Sequence, residues 1–301
     1  MKSSGVASTE RFWGLLLSAP YIAGLLVFAV GPILFSWVIG FFAWDSLTPP
    51  RFVGFGNWTR LFGDPLFWKA LGNTLYFVIG TVPIGIALSM LLAMLANRPL
   101  RGIGFFRTLY FTPVVTSTVA VALVWAWFYD PNYGVLNYAI ASAFKLAGLK
   151  PPSPIPWLAD PATAMPAIML MSVWKGLGYN MVILLAALQG VPRHLYEAAE
   201  IDGAGPLMRF RHITIPGVSP VLFFVVTVGV ISAFQVFDQV YIMTREGRPA
   251  DSTLTIVYYL YRHAFSNLEL GYASTVGTAL FAIIFAATLV QLQLRRHWVH
   301  T

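Results

Sequence analysis

An all-α polytopic membrane protein with six transmembrane helices is the fold class the sequence predicts, and three observations predict it. The 301 residues are 57% hydrophobic and only 10% charged, against about 45–50% and about 25% in an ordinary soluble domain. The mean hydropathy is +0.70, and so thin a charged shell could not cover the apolar surface of a water-soluble protein. The apolar residues also fall in long intervals free of Asp, Glu, Lys and Arg. The same composition excludes intrinsic disorder, collagen-like repeats and a disulfide framework. Cysteine is absent, which removes thiol catalysis and cysteine-ligated zinc.

A spanning helix needs about 20 mostly apolar residues. Between Arg11 and Asp45 lie 33 residues without a charge, between Lys69 and Arg98 28, and between Arg107 and Asp130 22. Between Arg211 and Asp238 there are 26, and between Glu269 and Arg295 25. A sixth interval, between Asp160 and Arg193, is interrupted only by Lys175. Helices are therefore expected at 13–40, 71–96, 108–129, 164–190, 217–240 and 272–294, within one domain covering 1–301. The first apolar run is far longer than a signal-peptide core of about 7–15 residues and reads as an uncleaved anchor.

Six crossings put both termini on one side. Arg98, Arg101 and Arg107 in the second connection, Lys2 and Arg11 at the start, and Arg295 and Arg296 at the end assign that side to the cytoplasm. The opposite loops hold Asp45, Asp64, Asp130, Asp160, Glu246, Asp251 and Glu269. The net charge of +7 sits at the edges of apolar stretches with no Lys/Arg run, so it orients the chain in a membrane and does not point to nucleic acid. Pro151, Pro152, Pro154 and Pro156 keep loop 130–160 from forming one long helix. Asn57-Trp58-Thr59 fits the short N-glycosylation pattern.

The most polar short stretch between the fourth and fifth helices runs from Leu195 to Pro206. Leu195, Ala198, Ala199 and Asp202 recur at i, i+3, i+4 and i+7 and share a helical face. The two alanines let another surface approach closely. Glu197 and Glu200 are expected near the helix start, where the dipole favours them and where they can take bidentate bonds from arginine. Gly203 suits a helix stop and Pro206 the first turn of a second short helix. Residues 193–216 thus read either as a plain amphipathic connector or as a rigid cytoplasmic helix–turn–helix shaped to dock.

The spacing favours docking. Glu197-Ala198-Ala199, then Gly203, Ile213 and Ile215-Pro216, resembles the EAA motif of permease subunits in binding-protein-dependent ABC importers; Ile215 stands where that family usually has Leu. Phe111-Thr112-Pro113, Trp125, Trp174, Ala187-Leu188-Gln189, Ile201-Asp202-Gly203-Ala204 and Gly271-Tyr272-Ala273 are similar to the carbohydrate branch, of the maltose and glycerol-phosphate permease type. Glu246-Gly247-Arg248-Pro249 departs from that branch's usual Gly-Gly-Pro.

The resemblance implies a six-helix importer permease in the prokaryotic inner membrane. Its partners would be a homologous second permease, two ATPase subunits and an extracytoplasmic binding protein that delivers a sugar. It implies that Glu197, Ala198, Ala199, Asp202, Gly203 and Pro216 belong to the element coupled to the ATPase, with Glu197 facing a basic partner. No phosphate-cradling G-x-x-x-x-G-K-[ST] occurs in the chain, so ATP chemistry is expected elsewhere and no cofactor here.

Polar groups inside hydrocarbon are costly and often line a pathway. Two clusters stand out: Trp174, Lys175, Gly176, Tyr179 and Asn180 on the fourth helix, and Ser232, Phe234, Gln235, Asp238 and Gln239 on the fifth. In maltose-type permeases sugar contacts come from these stretches, which carries over to Lys175, Gly176, Tyr179, Phe234, Gln235 and Asp238, the last three across a small gap. Each also has a packing reading, and Lys175 and Asp238 either pair, reach the outer interface, or meet substrate.

The five histidines, His194, His212, His263, His297 and His300, lie in loops or ends without metal-ligand spacing, so neither a catalytic residue nor a metal is expected. The alternative class is an ion-coupled secondary transporter or channel. It would leave the docking helix without a purpose.

Overall fold

The computed structural model describes residues 4–98, 101–245 and 247–298. Lys2 and Glu246, used in the charge argument, lie outside these residues, as do the side chains of Arg11 and Arg296. In chain order the helices are α1 (Ser4–Leu25), α2 (Gly31–Ile39), α3 (Gly56–Gly63), α4 (Pro65–Ala96), α5 (Ile103–Val115), α6 (Thr118–Phe128) and α7 (Val135–Leu146). They continue with α8 (Pro161–Gln189), α9 (Arg193–Ile201), α10 (Pro206–Arg209), α11 (Ile215–Phe234), α12 (Asp238–Thr244), α13 (Ile256–Tyr261) and α14 (Leu270–Trp298). Short π-helical turns bridge α1 to α2 and α10 to α11, and one follows α13. Two two-residue strands, β1 (Phe42–Ala43) and β2 (Arg51–Phe52), pair antiparallel.

Five segments are long and apolar enough to cross a bilayer: Trp13–Ile39, Pro65–Ala96, Pro161–Gln189, Pro206–Phe234 and Leu270–Arg295. The sixth is a broken pair, α5 and α6, which meet at 100°. The expected unbroken helix at 108–129 is corrected here. Pro113 removes a backbone donor inside α5, and Thr116 then turns extended at φ −82°, ψ 140°. The expected 217–240 helix likewise ends at Phe234, with Gln235, Val236 and Phe237 leaving helical geometry before α12. Proline excludes helix only from the segment it occupies: α7 forms just upstream, and Asn137 on it bonds the Ile155 backbone and the Trp157 ring nitrogen.

The residues group into two compact units. In Met1–Asp64 with Leu260–Phe281, Asn57 donates its amide to the Gly40 and Phe42 carbonyls, both at 2.9 Å. The asparagine of the glycosylation-like triplet is buried and satisfied by the protein itself. Arg60 forks onto Glu269 at 2.8 and 3.0 Å while its guanidinium lies 4.1 Å above the Tyr272 ring. His263 Nδ1 donates to the same carboxylate at 2.7 Å.

Burial opposes ionisation of Glu269, but the bonds from Arg60 and His263 outweigh it and hold its pKa below the usual carboxylate value. Burial likewise lowers the His263 pKa, against the pull of Glu269. Both folded values are lowered, so the unfolded chain binds protons first as pH falls. Stability present at neutral pH is therefore lost on acidification, beginning below about 6.5, the ordinary imidazole value. Melting of the purified chain from pH 7 to pH 4 should show this slope, and Glu269→Gln should flatten its lower part.

In Pro65–Tyr259 with Ala282–Thr301, α8 packs against α4, α5 and α11. Met181, Leu184, Leu185 and Leu188 of α8 meet Met90, Ala93 and Ala96 of α4 and Val218 and Val225 of α11 in a buried cluster. Lipid tails are as apolar as leucine, so close contact in a membrane comes from small residues. Gly178 of α8 lies so close to α5 that a Cβ there would overlap the Tyr110 carbonyl oxygen. Asp160 caps α8 by accepting from Ala162 N at 2.8 Å, with Pro161 in the first turn.

Candidate functional site

The two interruptions in the spans converge on one place. A cavity of about 330 Å³ is lined by Val114 and Thr118, either side of the α5–α6 break, and by Gln235, Val236, Phe237 and Asp238 at the α11–α12 break. Its remaining wall is Met171, Ser172, Lys175, Gly176 and Tyr179 of α8, with Ser232 and Gln239. Irregular backbone at membrane depth is tolerated where it lines a cavity, and interrupted helices mark substrate sites in transporters. A second cavity of about 250 Å³ shares Ser172, Gly176, Tyr179, Ser232 and Gln239 and adds Asn180.

Lys175 stands midway along α8, and neither it nor Asp238 has an ion-pair partner among the described residues. Gln239 donates to the Ser172 hydroxyl at 3.2 Å. Lys175, Gly176, Tyr179, Gln235 and Asp238 thus surround one space, with hydroxyl and amide groups beside them. Phe234 does not. It is 4% exposed and packs in the core, while Phe237 occupies the cavity wall. The backbone leaves the helix after Phe234, so the register assumed across the gap fails there. Trp174 turns away to pack on Trp125, ring centroids 5.5 Å apart. Val114 and Thr118 were missed because they come from a distant segment whose bend no charge marks.

The second candidate is the 193–216 loop. Its α9 ends in a full Schellman closure: Gly203 N donates to Glu200 O at 3.1 Å and Ala204 N to Ala199 O at 2.8 Å. Gly203 sits at φ +76°, a left-handed conformation that side chains resist. Pro206 then opens α10. Arg209 pairs with Glu200 at 3.2 Å across the turn, and the Tyr196 and Thr214 hydroxyls meet at 3.0 Å. Pro216 lies near the start of α11, directly after the widened π turn at Phe210–Thr214 that accommodates its missing donor.

The expectation that Glu197 and Glu200 open the helix is corrected: Arg193 and His194 occupy the first turn, Glu197 the middle and Glu200 the last. Leu195, Ala198 and Asp202 are exposed and Ala199 half-buried. Ile201 is 87% and Leu207 79% exposed. The loop presents a closed knuckle on which Ile201 and Leu207 stand exposed beside Glu197, Glu200 and Asp202. Because α11 (Ile215–Phe234) leaves the knuckle as one 20-residue helix, the knuckle connects over about 30 Å to Ser232 near its end and Gln235 just beyond it.

A membrane bundle with a helical knuckle at one end and a polar cavity at its helix breaks defines a transport protein. Its residues 85–298 match the binding-protein-dependent transport system inner membrane component family, and the chain belongs to that family. It is 38% identical over 297 residues to the lactose transport system permease protein LacF of Rhizobium radiobacter, covering 97% of each chain. It is 34% identical over 281 residues to the sn-glycerol-3-phosphate transport system permease protein UgpA of Yersinia pestis, covering 90% of this chain and 92% of that one. Its fold is that of a chain in the crystal structure of a bacterial alginate ABC transporter in complex with a pentasaccharide-bound periplasmic protein, with a TM-score of 0.81, 22% identity and 96% coverage of both.

Proposed function

We propose that residues 1–301 form a single permease domain, one transmembrane subunit of an ATP-driven importer for a sugar or sugar derivative. A binding protein delivers the substrate from outside, a homologous permease completes the pathway, and two ATPase subunits engage the 193–216 knuckle. Both termini face the cytoplasm. The observation that carries this reading is the cavity at the two helix breaks, with Lys175 in its wall and a continuous helix leading from it to the knuckle. Closure of the ATPases moves the knuckle, and α11 passes that movement to the cavity wall, a two-state element biased by a partner. Co-purification of the tagged chain tests the assembly: recovery of a second permease and an ATPase is expected, and substrate uptake that persists without any ATPase would contradict it.

Within the cavity, tyrosine and phenylalanine faces stack on sugar C–H surfaces, and the amides and Asp238 bond hydroxyls. Lys175 favours an anionic substrate. Lys175→Met should lower uptake of acidic substrates by roughly tenfold or more, the scale of one charged hydrogen bond, and change neutral ones less. Uptake of acidic and neutral substrates unchanged from the parent would remove Lys175 from recognition.

A further inference from the structure

Beside the knuckle, a cavity of about 670 Å³ opens at the ends of α4 and α8 and the start of α9. Arg98, Arg107 and Arg193 line it, with Glu197 the single acid among the described lining residues and Leu188 and Val191 among the apolar ones. None of the three arginines has an ion-pair partner among the described residues. Arg107 donates one nitrogen to the carbonyl of Ala96, the last residue of α4, at 2.6 Å, while its buried Nε has no hydrogen-bond partner. A buried donor left unpaired costs free energy. Three guanidinium groups against one carboxylate leave a net charge of two, and guanidinium forks match phosphate oxygens. Two spanning helices end here, the level at which hydrocarbon gives way to lipid phosphates.

We infer that this pocket binds a phosphate group, with an anionic phospholipid headgroup as the source that its apolar residues favour over free phosphate. The site does not depend on the importer reading; only its assignment to the inner leaflet does. Arg98 and Arg107 flank the α4–α5 connection and Arg193 opens α9, so one bound phosphate ties the start of the knuckle to the bundle.

The test uses the full chain purified in detergent, with native mass spectrometry reading retained phosphatidylglycerol against phosphatidylcholine. Phosphatidylglycerol should be preferred by roughly tenfold to thirtyfold, since two exposed arginines near a lipid surface contribute about that much. The double variant R98Q/R193Q, with unchanged melting, should bring the preference close to one. Displacement of the lipid by millimolar inorganic phosphate would extend the site to free phosphate; no displacement would restrict it to the headgroup. Equal retention of both lipids without phosphate binding, or an undiminished preference in R98Q/R193Q, would overturn the inference.

Discussion

Gly178→Val should push α5 away from α8 and lower the melting temperature of the bundle. A Cβ at position 178 would overlap the Tyr110 carbonyl oxygen and stand 3.0 Å from Phe111 Cα. These are backbone atoms, so no rotamer change relieves the contact and one helix must move. Overpacking typically costs about 1–3 kcal/mol, and a backbone clash belongs at or above the upper end. For a chain of 301 residues, about 3 kcal/mol is roughly 5 °C of melting temperature. Moving α8 away from α5 also spoils the cavity that both helices line, so uptake should disappear with the stability. Gly176→Val is the control on the same helix, because nothing lies within 4 Å of its added Cβ. It should melt near the parent temperature and lose uptake alone, through the cavity. Equal melting of the 176 and 178 variants would show that the α5–α8 contact is not what holds this region.

Glu197→Lys should leave the fold intact and abolish transport. Glu197 is exposed and has no ion-pair partner among the described residues. The knuckle is held instead by the Gly203 closure, the Glu200–Arg209 pair and the Tyr196–Thr214 hydroxyls. Reversing the charge therefore leaves those contacts in place, while it changes what the loop offers a partner and sets a fourth cation beside Arg98, Arg107 and Arg193 in the neighbouring cavity. Where a basic ATPase surface meets it, losing one member of an interfacial charge pair costs about 2–5 kcal/mol, or at least roughly thirtyfold in assembly. Membrane insertion and melting should match the parent, with ATPase recovery and uptake both lost. Normal uptake would remove Glu197 from the interface.

The spans were legible because each sums some twenty transfer free energies, and charge-free intervals report that sum directly. Their interruptions were not. Thr116 and Ser117, and Gln235 through Phe237, carry no charge, so the intervals run straight across both breaks. Nor does hydropathy reveal which face of α8 packs, since lipid and neighbouring helices are equally apolar. Gly178 and its contact with Tyr110 carry that information, and they become visible only when the two helices are brought together. The knuckle was read more closely, because Gly203 and Pro206 each restrict backbone angles on their own. Its acids were misplaced because Pro192 starts the helix one turn before the motif. Along the cavity, the α8 residues kept their helical spacing, whereas Phe234 and Phe237 exchanged places where the backbone stopped being helical.

The absence of cysteine from the chain allows a direct measurement of whether the knuckle lies at the inner surface under an ATPase. Ile201→Cys places a single thiol at a position 87% exposed on the outer face of α9. A membrane-impermeant maleimide should label it in inverted vesicles, leave it unlabelled in intact cells, and lose access when the ATPase subunits assemble. Labelling from outside intact cells, or labelling that the ATPase does not shield, would contradict the placement on which the transport mechanism depends.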